Sequence, residues 1–212
     1  DKDGAGNIYP DDRIKSVKLI GKHVSEDTLD GLGRLQSHRV TANGGLNYTE
    51  TYTYQSGLSC TVCGSQADRT TEYVSGVTYT VNGNTQTESY TYDKNGHIRK
   101  KTTSAGSITY SYDSLNRLTV EDNGVTGVKT TWTYDVGGNI KQKRRTSGTT
   151  ELSKTEYNYP TSGWKDQLTS VTENGITRLF AYDGCGNPTH YKSGEQNMWW
   201  TRGRMLGRYN VG

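Results

Sequence analysis

The stretch Tyr112-Asp113-Ser114-Leu115-Asn116-Arg117-Leu118 decides the fold, because it recurs. Tyr92-Asp93-Lys94-Asn95-Gly96-His97-Ile98 starts 20 residues earlier, and Tyr134-Asp135-Val136-Gly137-Gly138-Asn139-Ile140 starts 22 later. Tyr182-Asp183-Gly184-Cys185-Gly186-Asn187 follows after a further 48, a gap divided by a degenerate copy at Tyr159-Pro160. Two more copies stand near the start: Leu29-Asp30-Gly31-Leu32-Gly33-Arg34-Leu35 and the truncated Asp3-Gly4-Ala5-Gly6-Asn7-Ile8. Self-similarity at a fixed period marks a repeat array.

Each copy carries the same internal physics. Aromatic residues two apart precede the turn, as in Tyr52/Tyr54, Tyr90/Tyr92, Tyr110/Tyr112, Trp132/Tyr134, Tyr157/Tyr159 and Phe180/Tyr182. A spacing of two places both rings on one face of a strand. Asp then bonds the backbone two residues on, and Gly or Asn three residues later tolerates positive φ. Asp30, Asp93, Asp113, Asp135 and Asp183 are therefore read as the structural residues of the repeat turns. Leu35, Ile98, Leu118 and Ile140 start the return strands. The opposite ends are marked by Asn-Gly, a strong short hairpin signal, at Asn43, Asn82, Asn95, Asn123 and Asn174. Of these, Asn95 belongs to an Asp-x-x-Gly turn.

Composition agrees. Leu, Ile, Val and Phe make up about 16% of the 212 residues, below the roughly 20% at which disorder becomes a live reading. Disorder also requires high net charge and few aromatics, whereas the charge is +3 and the chain holds 16 Tyr and 4 Trp. Thr, Val, Ile and the aromatics form about a third of the chain, which suits a pleated, half-buried surface. With 26 Gly against 3 Pro, the chain reads as all-β: an antiparallel meander of β-hairpin repeats, roughly sixteen strands, in a curled or spiral sheet. Residues 1–212 read as a single repeat array, a fragment of a larger protein, with an irregular insertion around 55–89. No apolar run approaches the roughly 18 residues of a membrane span.

Tyr-Asp followed by x-x-Gly-Arg-Leu at twenty-odd residues resembles the YD repeat of bacterial Rhs proteins and animal teneurins. The four Tyr-Asp pairs, Gly33-Arg34-Leu35 and Asn116-Arg117-Leu118 carry the resemblance. Trp200-Thr201-Arg202-Gly203-Arg204-Met205-Leu206 resembles bacterial copies that open with Trp and end in Gly-Arg-x-Leu. The chain departs from the pattern between Tyr54 and Tyr92, where the step is 38, and at Tyr159, which Pro follows. The resemblance implies a spiralling sheet that winds into a hollow shell enclosing a toxin domain or its own C-terminal segment. In the family an aspartyl self-cleavage core follows the repeats, and no Asp-Pro-x-Gly segment of that kind precedes Gly212.

Other motifs carry weaker chemistry. Cys60-Thr61-Val62-Cys63 could be half a zinc site, a redox pair, or a disulfide or paired thiols in a loop. Zinc needs four ligands, and Cys185 with His23, His38, His97 and His190 are scattered, which favours the disulfide of Cys60 with Cys63. Residues 1–12 fail the calcium-loop pattern at Ala5 and Asp12. Lys141-Gln142-Lys143-Arg144-Arg145 and Arg99-Lys100-Lys101 are basic runs, but strand alternation divides each between two faces, which argues against a nucleic-acid partner. Trp199 and Trp200 are the candidate glycan contacts, because most other aromatics sit in the repeat's own positions. No catalytic, cofactor or metal constellation is found.

The expectation is non-enzymatic: a shell segment of a secreted or surface-delivered Rhs-type bacterial toxin protein. Its partners are then the remainder of its own polypeptide and an enclosed toxin domain. The alternative is a surface adhesion or carbohydrate-binding module that meets cell-surface glycans with the same repeats.

Overall fold

The computed structural model describes residues 16–19, 23–42, 44–57 and 70–211. Every regular element among them is a β-strand, and successive strands run antiparallel. The chain divides into two compact units, residues 1–108 and 109–212. The first holds β1 (Ser16–Leu19), β2 (His23–Leu29), β3 (Leu35–Ala42), β4 (Leu46–Ser56), β5 (Thr70–Val81), β6 (Asn84–Tyr92) and β7 (Ile98–Thr103), paired in chain order. The boundary falls within β8 (Gly106–Tyr112). The second unit continues with β9 (Leu118–Asn123), β10 (Val128–Tyr134), β11 (Ile140–Ser147), β12 (Thr150–Asn158), β13 (Ser170–Glu173) and β14 (Ile176–Leu179), again in chain order. It ends in a separate four-stranded sheet, β15 (Ala181–Tyr182), β16 (Pro188–Tyr191), β17 (Gln196–Thr201) and β18 (Met205–Val211).

Eighteen strands thus stand among the described residues, against the sixteen read from the repeats. Within 55–89 the chain forms one regular hairpin, β5 with β6, paired from Gly76↔Ser89 to Val81↔Asn84. Residues 58–69, including Cys60 and Cys63, lie outside the described residues, as does the Asp3–Ile8 copy.

Among the described residues the strand contacts run mainly between neighbours in the sheet order. Val77 is the one buried apolar residue among those described, and no described side chain is below 2% exposure. Thr130 and Asn187 are the buried polar ones. A sheet of this kind gains little from apolar burial, so its turns and ladder bonds carry more of the specification.

The register shows where the turns act. A bulge falls just before the turns of Asp30, Asp93, Asp135 and Asp183 and the Trp200 turn, at Thr28/Leu29, Thr91/Tyr92, Thr133/Tyr134, Ala181/Tyr182 and Trp199/Trp200. Beyond it the pairs are Leu29↔Leu35, Tyr92↔Ile98, Tyr134↔Ile140, Tyr182↔Pro188 and Trp200↔Leu206, six residues apart each time. The extra residue twists the strand locally and re-aims the aromatic side chain.

Asn43 lies outside the described residues, and the described Asn-Gly turns at Asn82, Asn123 and Asn174 are of two kinds. Asn82-Gly83 (φ 49° and 87°) and Asn174-Gly175 (φ 49° and 85°) are two-residue turns with both centres left-handed. That matches the twist of a hairpin. Their side chains also extend a neighbouring strand: Asn47 N–H donates to Asn82 Oδ1 (2.8 Å) and Lys154 N–H to Asn174 Oδ1 (3.1 Å). Asn123 differs. Its Oδ1 accepts from Val125 and Thr126 N–H, both at 3.1 Å, and left-handed φ falls on Gly127 (68°), closing a four-residue loop. The Asn side chain caps the loop instead of shaping a two-residue turn.

Gly83 has open space around its Cα but φ +87°, and Gly31 has open space at ordinary φ. Gly83→Ala should therefore lower unfolding free energy by about 1 kcal/mol in urea titration, and Gly31→Ala should leave it nearly unchanged.

Candidate functional site

The five repeat turns repeat one hydrogen-bond pattern. In the turn of Asp113, Oδ1 accepts from Leu115 N–H (2.9 Å) and Arg117 N–H (3.0 Å). The backbone closes with Asn116 N–H to Asp113 C=O and Asp113 N–H to Arg117 C=O, both 3.0 Å. Asn116 takes φ 64°, where Gly33, Gly96, Gly138 and Gly186 stand in the other turns. Asp30, Asp93 and Asp183 accept the same two amides, and Asp135 accepts Asn139 N–H. Each carboxylate serves its own turn.

Its second oxygen is also occupied, by the residue four positions on. Arg34 Nε donates to Asp30 Oδ2 and Arg117 Nε to Asp113 Oδ2, each at 2.7 Å. Asn139 Nδ2 and Asn187 Nδ2 do the same at 3.0 and 2.9 Å, and His97 Nδ1 lies 3.1 Å from Asp93 Oδ2. In the sequence, Arg34 and Arg117 stand out only as part of the Gly-Arg-Leu resemblance, and none of these residues is marked there as a clamp. Their shared spacing from Asp was the available signal, hidden by their unlike chemistry.

The clamps also reach the next segment of the chain. Arg117 Nη1 donates to Asp135 C=O (3.1 Å), and its guanidinium lies 4.5 Å from the Tyr134 ring centre. Arg34 lies 4.0 Å from the Tyr54 ring centre. Asn187 Nδ2 donates to Gly203 C=O (2.5 Å). Asn139 Nδ2 donates to Asp166 Oδ1 (3.1 Å), so the loop after the degenerate Tyr159-Pro160 copy still supplies a partner. In that loop Trp164 packs against Gly186 and leaves no room there for a Cβ.

Tyrosines at the strand ends, three of them directly before a turn Asp, return the contact. Tyr54 Oη donates to Leu35 C=O (2.7 Å), Tyr92 to Val74 (2.6 Å), Tyr134 to Leu118 (2.7 Å) and Tyr182 to Leu168 (2.8 Å). Leu35 and Leu118 begin the return strand just after the preceding Asp turn. Trp200 Nε1 donates to Pro188 C=O at 2.6 Å, so this indole takes the tyrosine's place in a turn that lacks Asp. Tyr73 stacks on Tyr92 (5.0 Å) and Phe180 meets Tyr191 edge-on (4.9 Å), and hydroxyl-to-carbonyl bonds and Arg-on-ring contacts also link successive segments.

Trp199 is 47% exposed, with the Arg208 guanidinium 5.1 Å from its ring centre. The basic runs divide between faces: Lys101 pairs with Glu88 (2.7 Å), and Arg144 pairs with Glu151 (2.5 Å).

A second set of polar side chains occupies one face of β4, β5 and β6. Tyr48 and Tyr52 both donate to Glu50, and Tyr90 donates to Glu88. These bonds hold the Glu50 carboxyl below its ordinary range; Glu88 is held there by Lys101 first and Tyr90 next. The Tyr48 hydroxyl is pushed up to about 12 by its bond to Glu50. Both carboxylates are ionised, so neither is a proton donor near neutral pH. Among the described residues no group of three His, Cys, Asp or Glu could hold a metal ion, and no helix is long and apolar enough to cross a membrane.

An open antiparallel meander whose Tyr-Asp turns are clamped and stitched in series defines an array of the YD type. Residues 92–126 match the RHS repeat family model, a repeat of the YD kind. No curated protein matches it. Its fold is similar to part of the Photorhabdus luminescens Tc holotoxin pore, with TM-score 0.56 and 16% identity over 99% of this chain. It is also similar to TcdB2–TccC3 without its hypervariable C-terminal region (TM-score 0.54, 17% identity, 88% of this chain) and to TcdB2–TccC3–Cdc42 (0.51, 13%, 91%). The chain spans 12%, 11% and 12% of those chains, respectively.

The turn electrostatics give a pH dependence. Asp113 is held below the ordinary carboxyl range first by Arg117 N–H, Asp135 by the Asn139 side chain and Asp183 by the Asn187 side chain. In Asp30 and Asp93 partial desolvation pushes upward, and the turn's hydrogen bonds outweigh it. A depressed folded-state value means stability fully present above the unfolded value near 4 and lost as pH falls through the folded values. Melting temperature should therefore drop on acidification below about pH 4, and Asp113→Asn should make that drop shallower.

Proposed function

We propose that the chain is a wall segment of an Rhs-type shell in a secreted bacterial toxin protein, and that the shell encloses a polypeptide cargo. The supporting observation is the series of tyrosine and tryptophan stitches, each tying one turn to the segment before it in a sheet with almost no buried apolar residue. Such an array is built to extend and to be closed by more of itself, as quasi-one-dimensional repeats are. The fold it shares with segments of the Tc holotoxin pore and TcdB2–TccC3 supports a toxin context. The role is structural: the turn carboxylates are consumed by backbone, and Glu50 and Glu88 are held ionised.

Glycan binding is the second reading, favoured by the exposed Trp199. It is weakened by Arg208 over that ring and by Trp200 being engaged with Pro188.

The test is limited proteolysis of the protein expressed from its complete reading frame, with fragments identified by mass spectrometry. The wall reading expects an internal polypeptide that survives protease in the parent and is digested when Asp113→Ala and Tyr134→Phe are combined. Equal digestion in both would contradict it. Glycan-array binding that Trp199→Ala abolishes would favour the second reading.

A further inference from the structure

The middle of the second unit carries a trough that the turn ladder does not use. It has a volume of about 410 Å³ and lies on one face of β9, β10 and β11. Its floor is Thr130, 6% exposed, flanked along β10 by Val128 and Trp132. Register creates the depression: Thr130 pairs with Glu121 on one side and with Arg145 on the other. A short side chain thus sits between two long ones, whose Cα atoms are two strand spacings apart, roughly 9–10 Å. Lys143 pairs with Trp132 and stands beside Arg145 on the same rim.

The charges across this trough are left unneutralised. On the opposite face Arg144 is paired with Glu151, and elsewhere in the unit Arg117, Lys154 and Arg178 each have a carboxylate. Among the described residues Lys143, Arg145 and Glu121 are in no ion pair. One rim therefore offers a guanidinium fork and an ammonium group, and the other a carboxylate, with a hydroxyl and apolar groups between.

We infer that this trough is a docking site for an extended acidic polypeptide segment, whose Asp or Glu carboxylate takes the fork of Arg145 with Lys143 beside it. A guanidinium binds a carboxylate through two parallel bonds, which sets both strength and orientation. Thr130 offers a hydroxyl to the peptide backbone, and Val128 a small apolar contact. Stacking of a neutral sugar is disfavoured because the Lys143 ammonium lies 6.0 Å over the Trp132 ring. Nucleic acid is disfavoured because two cations fall short of the roughly 6–10 phosphate contacts such binding uses. The inference stands whether or not the chain walls a shell.

The experiment is fluorescence anisotropy of the full chain with a labelled, end-capped decapeptide alternating glutamate and threonine. Oligogalacturonate and single-stranded oligodeoxythymidine are run as competitors. Saturable binding is expected to weaken about tenfold in Arg145→Gln, the size of one charge-assisted bidentate contact. It should weaken further as salt rises. Glu121→Gln should tighten it by removing a repelling charge, and Arg144→Gln, on the other face, should leave it unchanged and so report on folding. Binding that is equal in Arg145→Gln and the parent would overturn the proposal. So would displacement by either competitor at lower concentration than by unlabelled peptide.

Discussion

In each repeat turn one carboxylate takes backbone amides through one oxygen and the side chain four residues on through the other. The rest of the molecule depends on this arrangement. The carboxylate fixes the reversal of the chain, and the reversal fixes the six-residue register at the end of each strand pair. That register, with its bulge, aims the preceding aromatic at a carbonyl some twelve to nineteen residues back. Remove the carboxylate and the turn amides and the clamping side chain lose their acceptor, whereas the Trp200 turn, which has no Asp, keeps its bulge and its six-residue register.

The consequence for energetics is a fold that is short of core and long on hydrogen bonds. A hydrogen bond contributes a net of roughly 1 kcal/mol, while fixing a residue's backbone costs about 1–2 kcal/mol. A single rung is therefore not self-supporting, and the array gains stability as neighbours are added on both sides. The half-buried state of most strand residues fits this picture, because each face is shielded mainly by adjacent strands and by long side chains lying over them.

The strands and turns were legible because they are local. Aromatics at a spacing of two, an Asp and a left-handed Gly or Asn three residues later state a hairpin end in seven residues. The hairpin of β5 with β6 was equally local, through Asn82-Gly83, yet the missing Tyr-Asp pair around it suggested an irregular stretch. The clamp was hidden by its chemistry: Arg34, His97, Arg117, Asn139 and Asn187 share a task and no residue type. The tyrosine stitches and the trough were hidden by distance. Tyr134 meets Leu118, and Thr130 meets both Glu121 and Arg145, only once register is set.

The central claim is that the turns are the fixed points of this sheet and not its fraying ends. Native-state hydrogen exchange reads it directly, because exposed turns ordinarily exchange at low opening free energy. The account predicts that Leu115, Arg117, Asn139 and Asn187 amides exchange as slowly as mid-strand amides of β10, and far more slowly than Val125 and Thr126 in the loop after Asn123. Turn amides that exchange at loop rates while β10 stays protected would contradict it.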